Sequence, residues 1–158
     1  MSRQFSISSD LAVAPADLWD AVVCPSDINA EFQPLLKMTF PQGLEDVTQG
    51  WQPGETRFRS WILLGALIPV EYDDLTFVEV EIGKYFLERS SMASQAVWEH
   101  RRELEPVEGG TRVTDTVSFE PRLALLESLQ FSLFTWIFRR RHRQLRRRYG
   151  PTETYHGT

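Results

Sequence analysis

At 158 residues the chain suits one domain and is too short for two comfortable ones. Hydrophobic residues at 42% and charged residues at 25% lie near globular averages, which excludes a globally disordered chain, and the lone Cys24 excludes an internal disulfide. The net charge of −5 is uneven: residues 1–138 carry 10 Lys/Arg against 21 Asp/Glu, whereas 139–149 carry seven Arg and no acid, and so acidic a body disfavours specific nucleic-acid recognition.

Arg3–Leu11 alternates Phe5, Ile7, Ser9 and Leu11 with polar residues, the pattern of a half-buried strand. Pro15 suits a first helical turn, and Ala16–Val23 places Leu18, Trp19, Val22 and Val23 at helical spacing. Pro25 interrupts, and Ser26 or Asp27 is expected to cap a second short helix ending before Pro34. Strand patterns follow at Leu36–Phe40, Thr56–Leu64, Val70–Ile82, Tyr85–Ser90, Gln95–Glu105 and Thr111–Glu120, the last two joined as a hairpin by Pro106–Gly110. After Pro121 a helix of about 27 residues is expected, stopped by Gly150 and Pro151, with a frayed tail at Thr152–Thr158. Its first half, Leu123–Phe138, is apolar nearly all round and is expected to be covered on most sides. The order is therefore strand, two short helices, six strands and one long helix. Hairpin-length connections make the α+β fold an antiparallel sheet of about seven strands whose apolar partner is that helix.

Pairing Glu105 with Gly110 sets His100 opposite Asp115, on a face shared with Ala96, Trp98, Arg102, Leu104, Val113, Val117 and Phe119 and turned toward the helix. Three roles are open to His100 and Asp115: a satisfied polar pair within an apolar cavity, a ligand contact, or an acid/base pair in which Asp115 fixes the imidazole tautomer. No third group completes a catalytic set. The histidines at 100, 142 and 156 and Cys24 lack zinc-ligand spacing, Cys24 reads as a buried apolar thiol, and neither nucleotide-binding nor hydrolase motifs occur, so no metal or cofactor is expected. Gly65–Pro69 is unusually apolar for a turn and reads as a buried loop, a pocket mouth, a dimer contact or a membrane-touching edge.

From Phe5 to Gly150 the pattern resembles the SRPBCC superfamily, the helix-grip group that includes START lipid-transfer domains, plant pathogenesis-related proteins and bacterial polyketide cyclases. The resemblance is carried by VWEHRRELEPVEGGTRVTDTVSFEP (Val97–Pro121), by IFRRRHRQLRRRYG (Ile137–Gly150) and by the early P-x-x-L-W-D of Pro15–Asp20. Within it, Trp98, His100, Gly110, Thr111, Arg112 and Asp115 match a W-x-H … G-T-R-x-x-D hairpin. The resemblance implies a deep cavity between a curved sheet and the long helix that accepts a hydrophobic molecule, and it supplies no cyclase residue set.

The expectation is a helix-grip domain over residues 1–151 in a soluble cytoplasmic protein, since MSRQFSISSD has no apolar run and Leu123–Phe138 falls short of the roughly 20 residues that span a bilayer. It is expected to bind, for transport or sensing, a hydrophobic small molecule such as a lipid or polyketide against Phe58, Trp98, His100, Asp115, Val117, Phe119, Leu129, Leu133 and Trp136. The alternatives are a cyclase or dehydratase using His100 and Asp115, and an interaction module whose Arg139–Arg148 helix end docks on an anionic membrane or acidic protein. The Gly65–Pro69 turn hints at a homodimer.

Overall fold

A computed structural model of the chain describes residues 2–152; His156 and the rest of the expected tail beyond Thr152 lie outside the described residues. Seven strands, β1 (Arg3–Leu11), β2 (Leu36–Met38), β3 (Thr56–Leu64), β4 (Ile68–Glu81), β5 (Tyr85–Met92), β6 (Gln95–Val107) and β7 (Gly110–Pro121), form one antiparallel sheet in the order β1-β7-β6-β5-β4-β3-β2. Helices α1 (Pro15–Val22) and α2 (Pro25–Phe32) follow the first strand. A 3₁₀ turn at Ala124–Leu126 leads into α3 (Glu127–Tyr149). The sheet curls around the long helix, which is the helix-grip arrangement. Register breaks in β3, β4 and β6 supply bends, because an extra residue on one strand tilts it against its partner.

Local chemistry explains the boundaries. Both short helices take proline in their first turn, where a missing N–H costs nothing, and the second begins directly at Pro25 with Cys24 as its N-cap. The expected Ser26 or Asp27 cap is therefore displaced, and Cys24 is half-buried, its Sγ 3.2 Å from Ser26 Oγ. At the other end Gly150, at φ 75°, stops α3, and its carbonyl accepts from Ala12 N at 3.0 Å, tying the helix end to β1. Gly110 is demanded by space: a Cβ there would stand 1.9 Å from the Leu11 carbonyl oxygen.

The β6–β7 hairpin keeps the expected faces but not the expected register. Val107 pairs with Gly110 around a two-residue turn, Glu108-Gly109, so His100 opposes Val117 and Arg102 opposes Asp115. The slip is two residues, which leaves every side chain on its face. A register break between Gln95 and Val97 does reverse the start of β6: Gln95 is buried and Ala96, expected inside, is exposed.

Two apolar clusters result. One joins Leu11, Leu18, Trp19, Val22, Leu104 and Val113 under α1 and α2; the other joins Trp98, Val117, Phe119 and Phe138 under the first half of α3. Buried Arg102, Asp115 and His100 lie between them along the β6–β7 ladder. The helix packs on β1, β7 and α2 and leaves β3–β5 standing off from it. Its first half is less covered than its composition suggests, with Leu129 at 68%, Leu133 at 48% and Trp136 at 50% exposure. Among the described residues no helix is long and apolar enough to cross a membrane.

Candidate ligand cavity and its polar floor

The gap between α3 and the standing-off strands is a cavity of about 480 Å³. Its walls are apolar: Met38, Ile62 and Leu75 from the sheet face Phe134 and Ile137 from the helix. The half-exposed Leu64 and Val70 at the β3–β4 turn and Leu133 and Trp136 on α3 belong to the lining and form its mouth. That turn is therefore not a buried loop: Leu67 at its tip is 83% exposed.

The floor is charged, and its centre is Asp115, wholly buried. Its carboxylate accepts four hydrogen bonds: Arg102 Nε at 2.7 Å and Nη2 at 2.8 Å, His100 Nε2 at 2.7 Å and His142 Nε2 at 2.8 Å. Arg102 also donates to Glu31, at 3.1 and 2.9 Å, and Arg141 Nε donates to Glu31 Oε1 at 3.2 Å. Behind His142, Ser9 Oγ bonds Nδ1 at 2.8 Å and itself accepts from Arg146 at 2.9 Å. Since Arg146 donates to that hydroxyl, Ser9 donates its O–H to Nδ1, and Nε2–H is left to donate to Asp115.

Burial alone pushes the Asp115 carboxyl up, but Arg102 and His100 outweigh it and hold it well below the usual carboxylate range. Glu31 is likewise lowered, its burial offset by Arg102 and Arg141. Burial depresses His100, so the ring is neutral near pH 7; with Nε2–H committed to Asp115, Nδ1 is a lone-pair acceptor facing the cavity side, 3.7 Å from Glu88 Oε2.

Beside this network stand two more carboxyls, Asp73 on β4 and Glu88 on β5, both lining the cavity. Burial, and after it their mutual repulsion, raises Glu88 well above its ordinary value; burial pushes Asp73 up to about 6. Ser90 Oγ donates to Glu88 Oε1 at 2.8 Å, while the buried Asp73 Oδ1 has no partner among the described residues.

Of the residues picked from the sequence, Trp98, His100, Leu133 and Trp136 line the cavity. Asp115 lies one layer behind it. Val117 and Phe119 are packed into the core beneath Phe134 and Phe138, and Phe58 stacks edge-on against Phe40 at 5.8 Å. Leu129 projects to solvent because the helix turns that face away from the sheet. Sequence reading passed over Asp73, Glu88, Glu31 and Arg141. Asp73 shares alternation with Leu75 and Phe77, and Glu88 with Phe86 and Met92, a signal of charge on an inward face. The Arg run does not present all of its side chains to solvent. Arg141 is buried, Arg140 donates to the carbonyls of Phe32 and Gln33 at 2.9 and 3.0 Å, and Arg148 pairs with Asp27 at 2.5 Å.

Residues 9–149 match the family described as "Domain of unknown function (DUF8410)", and the chain belongs to that family. No curated protein matches the sequence. Among solved structures it is similar to protein CV1439 from Chromobacterium violaceum, at 12% identity and TM-score 0.70, over 94% of this chain and 97% of that one. Similar too are Ara h 8.0201 (14% identity, TM-score 0.58, covering 92% and 98%) and DynU16, a protein of the dynemicin biosynthetic locus (15% identity, TM-score 0.58). The alignment with DynU16 covers 94% of this chain and 48% of that one. At these identities the likeness establishes the fold alone, a helix-grip arrangement.

Proposed function

We propose that this chain is an SRPBCC-type binding protein that carries or senses a hydrophobic small molecule, of lipid or polyketide character, between its sheet and α3. The observation that carries this is the cavity itself: about 480 Å³ of apolar-walled space, inside the roughly 300–1,000 Å³ typical of small-molecule sites. A mouth of half-exposed leucine and tryptophan offers an apolar ligand a continuous path inward. The dynemicin locus of DynU16 makes a biosynthetic product a sensible class to screen. Binding is favoured over catalysis by His100 and Asp115, because a carboxylate saturated by Arg102 and two histidines has no lone pair left for a substrate proton.

Native mass spectrometry of the purified chain, followed by solvent extraction, tests the reading. An added mass that is lost on extraction and identified as an apolar compound supports it. A chain that emerges empty and takes up no member of a lipid and polyketide panel contradicts it.

A further inference from the structure

We propose that Asp73 and Glu88 form a cation subsite, and that the ligand is amphipathic, with a protonated amine seated on this pair and an apolar body filling the rest of the cavity. This rests on the cavity-binding reading above and adds the chemical class of the ligand's polar end.

The charges that face the pair do not balance. Glu71, on the same strand, is held by the backbone N–H groups of Ala93 at 2.7 Å and Ser94 at 3.3 Å. From α2 comes Glu31, from β6 His100 and Arg102, from β7 Asp115, and from α3 Arg141 and His142. Arg102 and Arg141 are the cations among these, and Glu31 and Asp115 already match them through the hydrogen bonds of the floor. Asp73 and Glu88 are therefore two buried carboxyls, 4% and 5% exposed, with no cation of their own. A buried charge needs a partner or a proton. Burial displaces both carboxyls upward, and a proton held by the pair takes the place of one such cation.

The acceptors are arranged for something else to replace it. Asp73 lines the cavity, and its buried Oδ1 has no donor among the described residues. His100 turns the lone pair of Nδ1 to the same side, 3.7 Å from Glu88 Oε2, too long for a hydrogen bond between them. A primary ammonium brings three N–H donors on one small charge. Placed here it satisfies Asp73, Glu88 and the His100 nitrogen together and sends the proton of the pair to solvent. An anionic end has a weaker claim, since the two cations in the cavity lining are already committed, Arg102 to Asp115 and Glu31 and Arg141 to Glu31.

The test uses the full chain and three probes with one tail: decylamine, decanol and decanoate, titrated calorimetrically at pH 7. Charge-assisted hydrogen bonds predict decylamine at least about tenfold tighter than decanol, with decanoate weakest. In the double variant Asp73→Asn, Glu88→Gln the preference for amine over alcohol falls to near unity. Titration of the wild type at pH 6 in two buffers of different ionisation enthalpy adds a readout that needs no variant: decylamine binding releases protons and decanol binding does not. Decanol equal to decylamine, decanoate the tightest, or no proton release overturns the cation subsite while leaving the cavity reading intact. Failure of all three probes to bind overturns both.

Discussion

His100 donates from Nε2 to Asp115 Oδ1 across 2.7 Å although the two are not opposed in the ladder, where His100 faces Val117 and Asp115 faces Arg102. The diagonal leaves the directly opposed place to Arg102, whose guanidinium clamps both oxygens of the same carboxylate. Asp115 is thereby the anion around which β6, β7, α2 and α3 are joined.

Asp115→Asn removes one negative charge from beneath a buried guanidinium and turns one acceptor into a donor facing donors. Breaking a buried pair in this way costs about 3–5 kcal/mol. Urea unfolding at pH 7 measures it; a loss under about 1 kcal/mol would show that Asp115 does not hold the network together.

The Asp73–Glu88 pair makes stability depend on pH with a definite sign. Asp73 rises from its ordinary 3.8 to about 6 in the folded protein, so between those values the native state binds more protons than the unfolded chain and stability falls as pH rises. Glu88, raised well above its ordinary value, extends the fall upward; the lowered Asp115 and Glu31 act in the opposite sense below their ordinary values of 3.8 and 4.5, and the lowered His100 does so below 6.5. Asp73→Asn is therefore more stable than the wild type at pH 8, by roughly 2–3 kcal/mol, and the gap closes toward pH 4. Unfolding curves of both proteins across that range check this; a gap that does not change with pH contradicts it.

Core and surface are separated by two residues that the sequence pattern grouped together. Phe119→Ala deletes a ring packed at 5.0 Å from Phe134 and is expected to cost about 3–5 kcal/mol. Leu129→Ala removes a side chain already in solvent and is expected to stay within about 0.5 kcal/mol. Thermal unfolding of the two variants distinguishes them, and equal losses would contradict the assignment of Phe119 to the core.

The sheet was legible because its cues are local. Alternation marks an inward face without knowledge of register, so Trp98, His100, Val117 and Phe119 were placed on the correct side even with the hairpin slipped by two. The ends of the strands were less legible: the register break after Gln95 follows from how β6 meets β7, and no residue there announces it. What stayed hidden was pairing between distant elements. Arg141 reads as one more arginine in a basic run, and only the approach of α2, which carries Glu31, turns it inward. The half-bare face of α3 was misread for the same reason. Composition reports that Leu133 and Trp136 are apolar, but not that β3–β5 stand away from them and leave a cavity, nor that Leu129 is turned away from the sheet.

The claim on which the rest depends is that the cavity takes up an apolar molecule, and Trp98 and Trp136 in its lining give a direct optical report. Decanol is titrated into the wild type and into Ile62→Trp, which places an indole in the cavity lining, with tryptophan fluorescence followed and folding checked by thermal unfolding. The expected result is saturable one-to-one binding by the wild type and at least about tenfold weaker binding by a variant that unfolds at a similar temperature. No saturation in the wild type, or equal affinity in a folded Ile62→Trp protein, would contradict the account.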